Sequence, residues 1–183
     1  MGNVSLTLEI GENKHSVAET FFTDIEVVMA LDLEMHRKIR NNNNTFAKVN
    51  GIEAIELREG YAVAKMEITP NHYNPLDTVH GGAILTLADV AASFASNSHG
   101  IWQTTLDTSI HYVRAAAGKG TLYATAKEIK AGRKVSLYNV DVTDQDDRLI
   151  ATCTISFMSL GEEIPDLKDE NADLVVHKYD NAK

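Results

Sequence analysis

HYNPLDTVHGGAILTLADVAASFASN, residues 72–97, is the stretch on which the fold turns. Its first half carries Asn74, two prolines' worth of loop signal with Pro70 just upstream, and a His80-Gly81-Gly82 step. Its second half is apolar at helical spacing, and predicts a helix from Gly82 to about Ser98. Ile84, Leu87, Ala88, Ala91, Phe94 and Ala95 share one side of that helix, and Thr86, Asp89, Ser93 and Asn97 form the opposite stripe. From Val79 to Leu106 the only acidic residue is Asp89, and no Lys or Arg stands between Lys65 and Arg114. A solvated helix face usually carries Lys, Glu and Arg. This one carries small hydroxyls, an amide and one carboxylate. Two readings stand: an ordinary wet face, or a tight interface that holds a carboxylate for chemistry.

Outward from this helix the chain reads as strands. Gly51 to Leu57 and Tyr61 to Ile68 suit a hairpin turned at Arg58-Glu59-Gly60. After the helix come Trp102 to Arg114, Thr121 to Lys130, Lys134 to Thr143 and Leu149 to Leu160, with turns at 117–120, 131–132 and 144–147. Upstream, Phe22 to Arg40 looks helical, with Asp24 as its cap; the run Asn41 to Asn44 is expected to end it, because short amides favour turns. Hairpin, central helix and four-strand meander give an α+β domain in which an antiparallel, curved sheet wraps one helix. Such a sheet covers the helix on one side only. The other side and the edge strands call for a partner.

Composition narrows the function classes. At 183 residues the chain suits one domain with appended arms, divided as an N-terminal extension and helix over 1–44, a central domain over 45–160 and an acidic tail over 161–183. Net charge is −9, which argues against a nucleic-acid partner, since phosphate binding needs basic surface. Residues 161–183 carry seven acids against three lysines; that tail is read as solvated, with a short docked piece at Leu174-Val175-Val176. No apolar run approaches the roughly 20 residues of a membrane span, and no basic head with an apolar core marks a secretory leader. The one cysteine, Cys153, reads as a buried strand residue. Together these point to a cytoplasmic protein with no membrane partner.

Geometry constrains the chemistry. A buried carboxylate tends toward a raised pKa and serves as a base or nucleophile. Gly81 and Gly82 allow close backbone approach, and the first amides of a helix are unpaired donors at its positive end, suited to an oxyanion. Gly81 and Asp89 are eight residues apart, or roughly 12 Å along a helix. One helix cannot bring both to one reacting carbon. Two antiparallel copies facing across a two-fold axis can, so a catalytic Asp89 implies a site shared by two subunits.

Asn74, His80-Gly81-Gly82-Ala83-Ile84-Leu85-Thr86-Leu87-Ala88-Asp89 and the small residues to Ser98 resemble the hotdog-fold acyl-CoA thioesterases of the phenylacetate-pathway (PaaI-like) type. The strand from Thr105 to Ala115, with Tyr112-Val113-Arg114-Ala115, Gly132-Arg133-Lys134 and Leu149-Ile150-Ala151-Thr152 extend the likeness over about residues 45–160. It implies a hotdog fold with an added N-terminal helix. It implies that Asp89 activates water or attacks a thioester carbonyl, that the Gly81 amide of the neighbouring subunit polarises it, that Asn74 helps fix the thioester, and that Thr105 positions water or the base. His80 matches the motif in what looks like a structural part. With Gly82, Arg133 and Lys134 it makes the expected substrate-binding set. Pro75-Leu76-Asp77 departs from relatives, which often have a glycine there.

Other chemistries weigh less. His72, Asp77 and His80 have no compact ligand spacing for a metal, no G-x-S-x-G marks a serine hydrolase, and no phosphate-binding glycine loop is present. Lys127, Lys130, Arg133 and Lys134 surround one turn, either as a solvated hairpin or as a hold on the phosphates of coenzyme A. The expectation is an acyl-CoA thioesterase with no metal or other cofactor, coenzyme A being part of the substrate, working as a homo-oligomer: a dimer at the least, with a homotetramer expected. The rival readings are a non-catalytic acyl-CoA-binding module, marked by binding without turnover, and a hotdog dehydratase or hydratase, which would need a His paired with a carboxylate. Trp102 and Phe94 could line the acyl pocket or fill the core.

Overall fold

The computed structural model describes residues 31–172 and Leu174. Strands β1 (Ile52–Arg58), β2 (Tyr61–Glu67), β3 (Ile101–Tyr112), β4 (Thr121–Lys130), β5 (Val135–Asp144) and β6 (Leu149–Glu163) form one antiparallel sheet in the order β1-β2-β4-β5-β6-β3. Helices α1 (Leu33–Asn43) and α2 (Thr45–Val49) precede it, and α3 (Gly81–Asn97) lies between β2 and β3. The expected strands and central helix are present with ends shifted by a residue or two, and β6 runs on to Glu163.

Alternation makes the sheet one-sided. In β2 and β4 every second residue is buried: Ala62, Ala64 and Met66, then Leu122, Ala124 and Ala126. Those residues face α3, whose Leu87, Ala88, Ala91 and Ala95 are fully buried. Alanine on both surfaces lets the helix sit close to the sheet. Larger side chains, Phe94, Tyr138 and Phe157, fill the remaining space, with Tyr138 and Phe157 packed edge to face. Phe94 is therefore core. Ala91, Ala92, Ala95 and Ser96 are buried within one chain, so their small size serves the sheet contact.

The amide run departs from expectation. The helix does not stop at Arg40 but continues through Asn43, and it starts at Leu33 with Asp32 as its cap. The proposed cap Asp24 and the residues up to 30 lie outside the described residues. Each of the four asparagines has a tertiary or capping task. Asn41 donates to the Ala54 carbonyl and accepts from its amide, standing in for a missing strand neighbour on β1. Asn42 and Asn43 donate to the carbonyls of Glu170 and Ala172, and Asn43 accepts from the Leu174 amide. The tail thus docks on α1 through Glu170, Ala172 and Leu174; Asp173, Val175 and Val176 lie outside the described residues. Asn44 ends α1 and caps α2 through the Ala47 amide. Short amides compete with helix bonding when alone, but here the competing bonds reach neighbouring elements, so the helix survives.

These bonds cover the β1 edge. The other edge, β3, keeps Thr104, Thr105, Leu106 and Asp107 exposed along its middle, with Leu106 55% exposed. An uncovered edge strand with an apolar side chain is a surface built for pairing. Among the described residues no helix is long and apolar enough to cross a membrane.

Candidate active site

The polar stripe of α3 is not one surface. Asn97 is buried and accepts from the Gln103 amide. Ser93 is taken by Arg40 of α1, which donates to its carbonyl at 3.0 Å and its hydroxyl at 2.9 Å. Only Thr86 and Asp89 reach an open cleft of about 380 Å³, lined also by Asn44, Phe46, Leu85, Val90 and Thr108. Asp89 is half-buried at this cleft, and burial raises its carboxyl above the usual carboxylate range. A hydrogen bond from Thr105 and the charge of Arg40 pull it partly back. A carboxylate so placed is more basic than a surface one and still open to a ligand.

Thr105 Oγ1 donates to Asp89 Oδ1 at 2.8 Å. The β3–β6 register slips between Thr105 and Asp107. Such a bulge re-aims side chains on an edge strand. It is what brings a β3 hydroxyl onto the helix, and sequence alternation alone does not reveal it.

The N-terminus of α3 is built from the loop before it. His80 Nδ1 accepts the Gly82 amide at 2.8 Å, so the ring caps the helix and that amide is engaged. Among the described residues no acceptor faces the Gly81 amide. Tyr112 Oη donates to the Gly81 carbonyl at 2.9 Å, and a Cβ at Gly81 would meet the tyrosine ring at 3.0 Å. A side chain at Gly81 would press on the Tyr112 ring and strain this bond. In the sequence only the place of Tyr112 in the Tyr-x-Arg pattern hints at this support of the turn. Asn74 closes the loop: its Oδ1 accepts the Leu76 and Thr78 amides and its Nδ2 donates to Thr78 Oγ1. The loop's left-handed residue is Asp77, at φ 60°. His72 Nδ1 accepts the Thr69 amide. Among the described residues no three His, Cys, Asp or Glu side chains converge as metal ligands.

Arg133 and Lys134 are exposed in the β4–β5 turn and do not line the Asp89 cleft of their own chain. Trp102 packs beneath α1 against His36 and Arg40, away from that cleft. Cys153 is buried, which pushes its thiol up to about 11 and leaves it unreactive.

Residues 76–151 match the thioesterase superfamily. A putative esterase of Archaeoglobus fulgidus is 37% identical over 111 residues, 61% of this chain and 72% of that protein. The chain belongs to the thioesterase superfamily. This thioesterase is also 32% identical to the acyl-coenzyme A thioesterase PaaI of Escherichia coli, over 60% of this chain and 78% of that one. The solved structure of the Escherichia coli PaaI protein superposes with a TM-score of 0.65 at 28% identity, covering 72% of this chain and 99% of that one. A Streptococcus mutans protein solved bound to acetyl CoA superposes with a TM-score of 0.60 at 26% identity, covering 62% of this thioesterase and 91% of that chain. The sheet wrapped on α3 is thus the hotdog fold.

Proposed function

We propose that this thioesterase hydrolyses acyl-CoA at a site shared by two antiparallel copies of α3, with Asp89 as base or nucleophile and Gly81 of the partner subunit as oxyanion donor. The observation that carries the reading is Asp89 itself: a half-buried carboxylate of raised pKa, held by Thr105 at the mouth of a cleft, beside an edge strand whose outer side is exposed. The acyl-CoA class is supported by the likeness to PaaI and to the acetyl-CoA-bound protein.

The chemistry follows from the groups at hand. The Gly81 amide, with no acceptor of its own among the described residues, sits at the positive end of a helix and can hold the carbonyl oxygen as it gains charge. Asp89 either takes a proton from water as the hydroxyl adds to the carbonyl carbon, or adds itself to give a mixed anhydride that water then opens. In both routes the C–S bond breaks, the thiolate leaves and takes up a proton, and the products are a free acid and coenzyme A. A thiolate is a good enough leaving group that no metal is called for; coenzyme A enters as substrate. Asn74 shapes the loop that presents Gly81, and the acyl group enters the cleft beside Phe46, Leu85 and Val90. Arg133 and Lys134 contact the phosphates of coenzyme A, with His80 and Gly82 at the loop where the thioester lies. The enzyme works in the cytoplasm as a homotetramer of two such dimers.

A screen of acyl-CoA chain lengths and aryl-acyl-CoAs, following release of free thiol, tests the reading. Turnover of at least one class that is lost in Asp89→Ala supports it; binding of acyl-CoA with no turnover overturns it. Arg133→Ala with Lys134→Ala should raise KM more than it lowers kcat, with the effect shrinking in high salt because exposed charges are screened. An unchanged KM at low salt returns that turn to a solvated hairpin.

A further inference from the structure

We propose that Arg40, on the helix ahead of the sheet, is a positioning residue for the reaction: its guanidinium is the fixed counter-charge that holds Asp89 as a carboxylate. The inference rests on the reading of Asp89 as the acting group. The stretch from Met66 to Val113 contains no Lys or Arg, so α3 and most of β3 supply no cation to Asp89. Arg40, 49 residues before Asp89 in sequence, comes from outside that stretch and is placed by tertiary structure alone.

Its placement is over-determined. Both terminal nitrogens of the fork are spent on Ser93, one turn along α3 from Asp89 on the same polar stripe. The guanidinium lies 4.2 Å from the centre of the Phe94 ring and 5.9 Å from that of Trp102. A flat fork can donate in its plane and stack on its face at once, which an ammonium cannot. Among the described residues Arg40 has no ion pair within contact range, and both its hydrogen-bond partners are neutral. Its charge is therefore available to the nearby carboxylate. Burial lowers the guanidinium to about 10 and the Asp89 charge pulls it back up, so it is still a cation at neutral pH. The groups facing Asp89 are Thr105 and Thr108 of β3, Thr86 of α3, Asn44 between α1 and α2, and Arg40 of α1. Arg40 alone among them is charged. Thr105 fixes one carboxylate oxygen; Arg40 offsets part of the burial that disfavours the ionised group. Because the cation is anchored to Ser93 instead of being paired directly with Asp89, it favours the ionised form without occupying the oxygen that must meet water or the thioester.

The test is the pH profile of kcat/KM for the whole oligomer, with the acyl-CoA that wild type turns over best. Arg40→Gln keeps a donor for Ser93 but removes the charge. It should lose roughly tenfold on the acid limb and no more than about twofold at alkaline pH, as expected for removing an opposite charge from beside a carboxylate. Arg40→Lys should restore most of the acid limb. A loss equal at every pH, with no rescue by Lys, means Arg40 only clamps α1 to α3 and overturns the proposal. Should Arg40→Gln fail to fold, Ser93→Ala frees one arm of the fork and should shift the acid limb while leaving the alkaline plateau within about twofold; an unchanged or parallel profile there overturns it equally. Carboxylate NMR of the unliganded protein, with Asp89→Asn to assign the signal, separates the two readings. If wild type hydrolyses no acyl-CoA the proposed function falls, while the Asp89 titration in Arg40→Gln still decides whether the two charges are coupled.

Discussion

Asp89 is the residue at which two readings of one stripe part. Its isolation was visible in the sequence; its neighbours Thr105 and Arg40 were not equally so. Thr105 stood in the resemblance, but its bond to Asp89 depends on a bulge in β3. Arg40 lies outside the quoted motif and reaches Ser93 only because α1 packs there. Asp89→Ala should keep its fold and oligomeric state and lose about 10²- to 10⁴-fold in kcat, the usual worth of a positioned base. Near-wild-type turnover would remove Asp89 from the mechanism. The raised pKa also fixes a sign: the active form is the carboxylate, so activity is full above the raised value and falls as pH drops through it. The acid limb of wild type should lie above the ordinary carboxylate range. Thr105→Ala removes a bond to the charged form and should move that limb further up, a movement the opposite of which would show that the hydroxyl stabilises the protonated acid.

At the scale of elements, α1 is an edge cover. The Asn41 side chain makes two hydrogen bonds to the Ala54 backbone. Arg37 also donates to the Ala54 carbonyl, so Asn41→Ala would leave only the Ala54 amide facing a partly buried gap, and should cost about 1 kcal/mol in denaturant unfolding. A change below a few tenths would mean water replaces the amide freely. On the same helix His36 is 3% exposed, and its Nε2 has no hydrogen-bond partner among the described residues. Burial, with the nearby Arg40 charge, depresses its pKa to about 3. The folded value lies below the unfolded one near 6.5, so the unfolded chain binds the extra proton first. Stability from this group is complete above about pH 6.5 and is lost progressively toward pH 3, by about 2 kcal/mol at pH 5. Unfolding measured at pH 5 and pH 7.5 should differ more in wild type than in His36→Leu; equal differences would place the ring's proton affinity elsewhere. The Asn run shows why composition misleads at this scale. Four short amides signal a break, and the chain turns them instead into bonds to β1, the tail and α2.

At the scale of the molecule, the cleft beside Asp89 is open and the outer edge of β3, which pairs with β6 on its inner side, is exposed in one chain. Mixing Asp89→Ala subunits with subunits carrying a bulky residue at Gly81 tests whether two chains complete the site. Each homo-oligomer should be nearly inactive, since a side chain at Gly81 also collides with Tyr112. Hybrid dimers have one site with both halves intact and should regain about half the activity of a wild-type dimer. Hybrids confirmed by mass spectrometry yet inactive would mean that the two groups act within one chain or that Gly81 is not the donor, and would end the shared-site mechanism.

What the sequence determined by itself was whatever depends on local order: alternation in the strands, the apolar face of α3, and the eight-residue distance from Gly81 to Asp89. Those are properties of neighbouring residues and of the repeat of a helix or strand. Tertiary structure alone decided which part of the polar stripe stays open, since α1 covers Ser93 and β3 covers Asn97. It alone brought Arg40 to the active-site helix, turned Thr105 through a bulge onto Asp89, and put Tyr112 against Gly81. Contacts between residues tens of positions apart have no period to read; they exist because the sheet closes on the helix, and closure is a property of the packed chain.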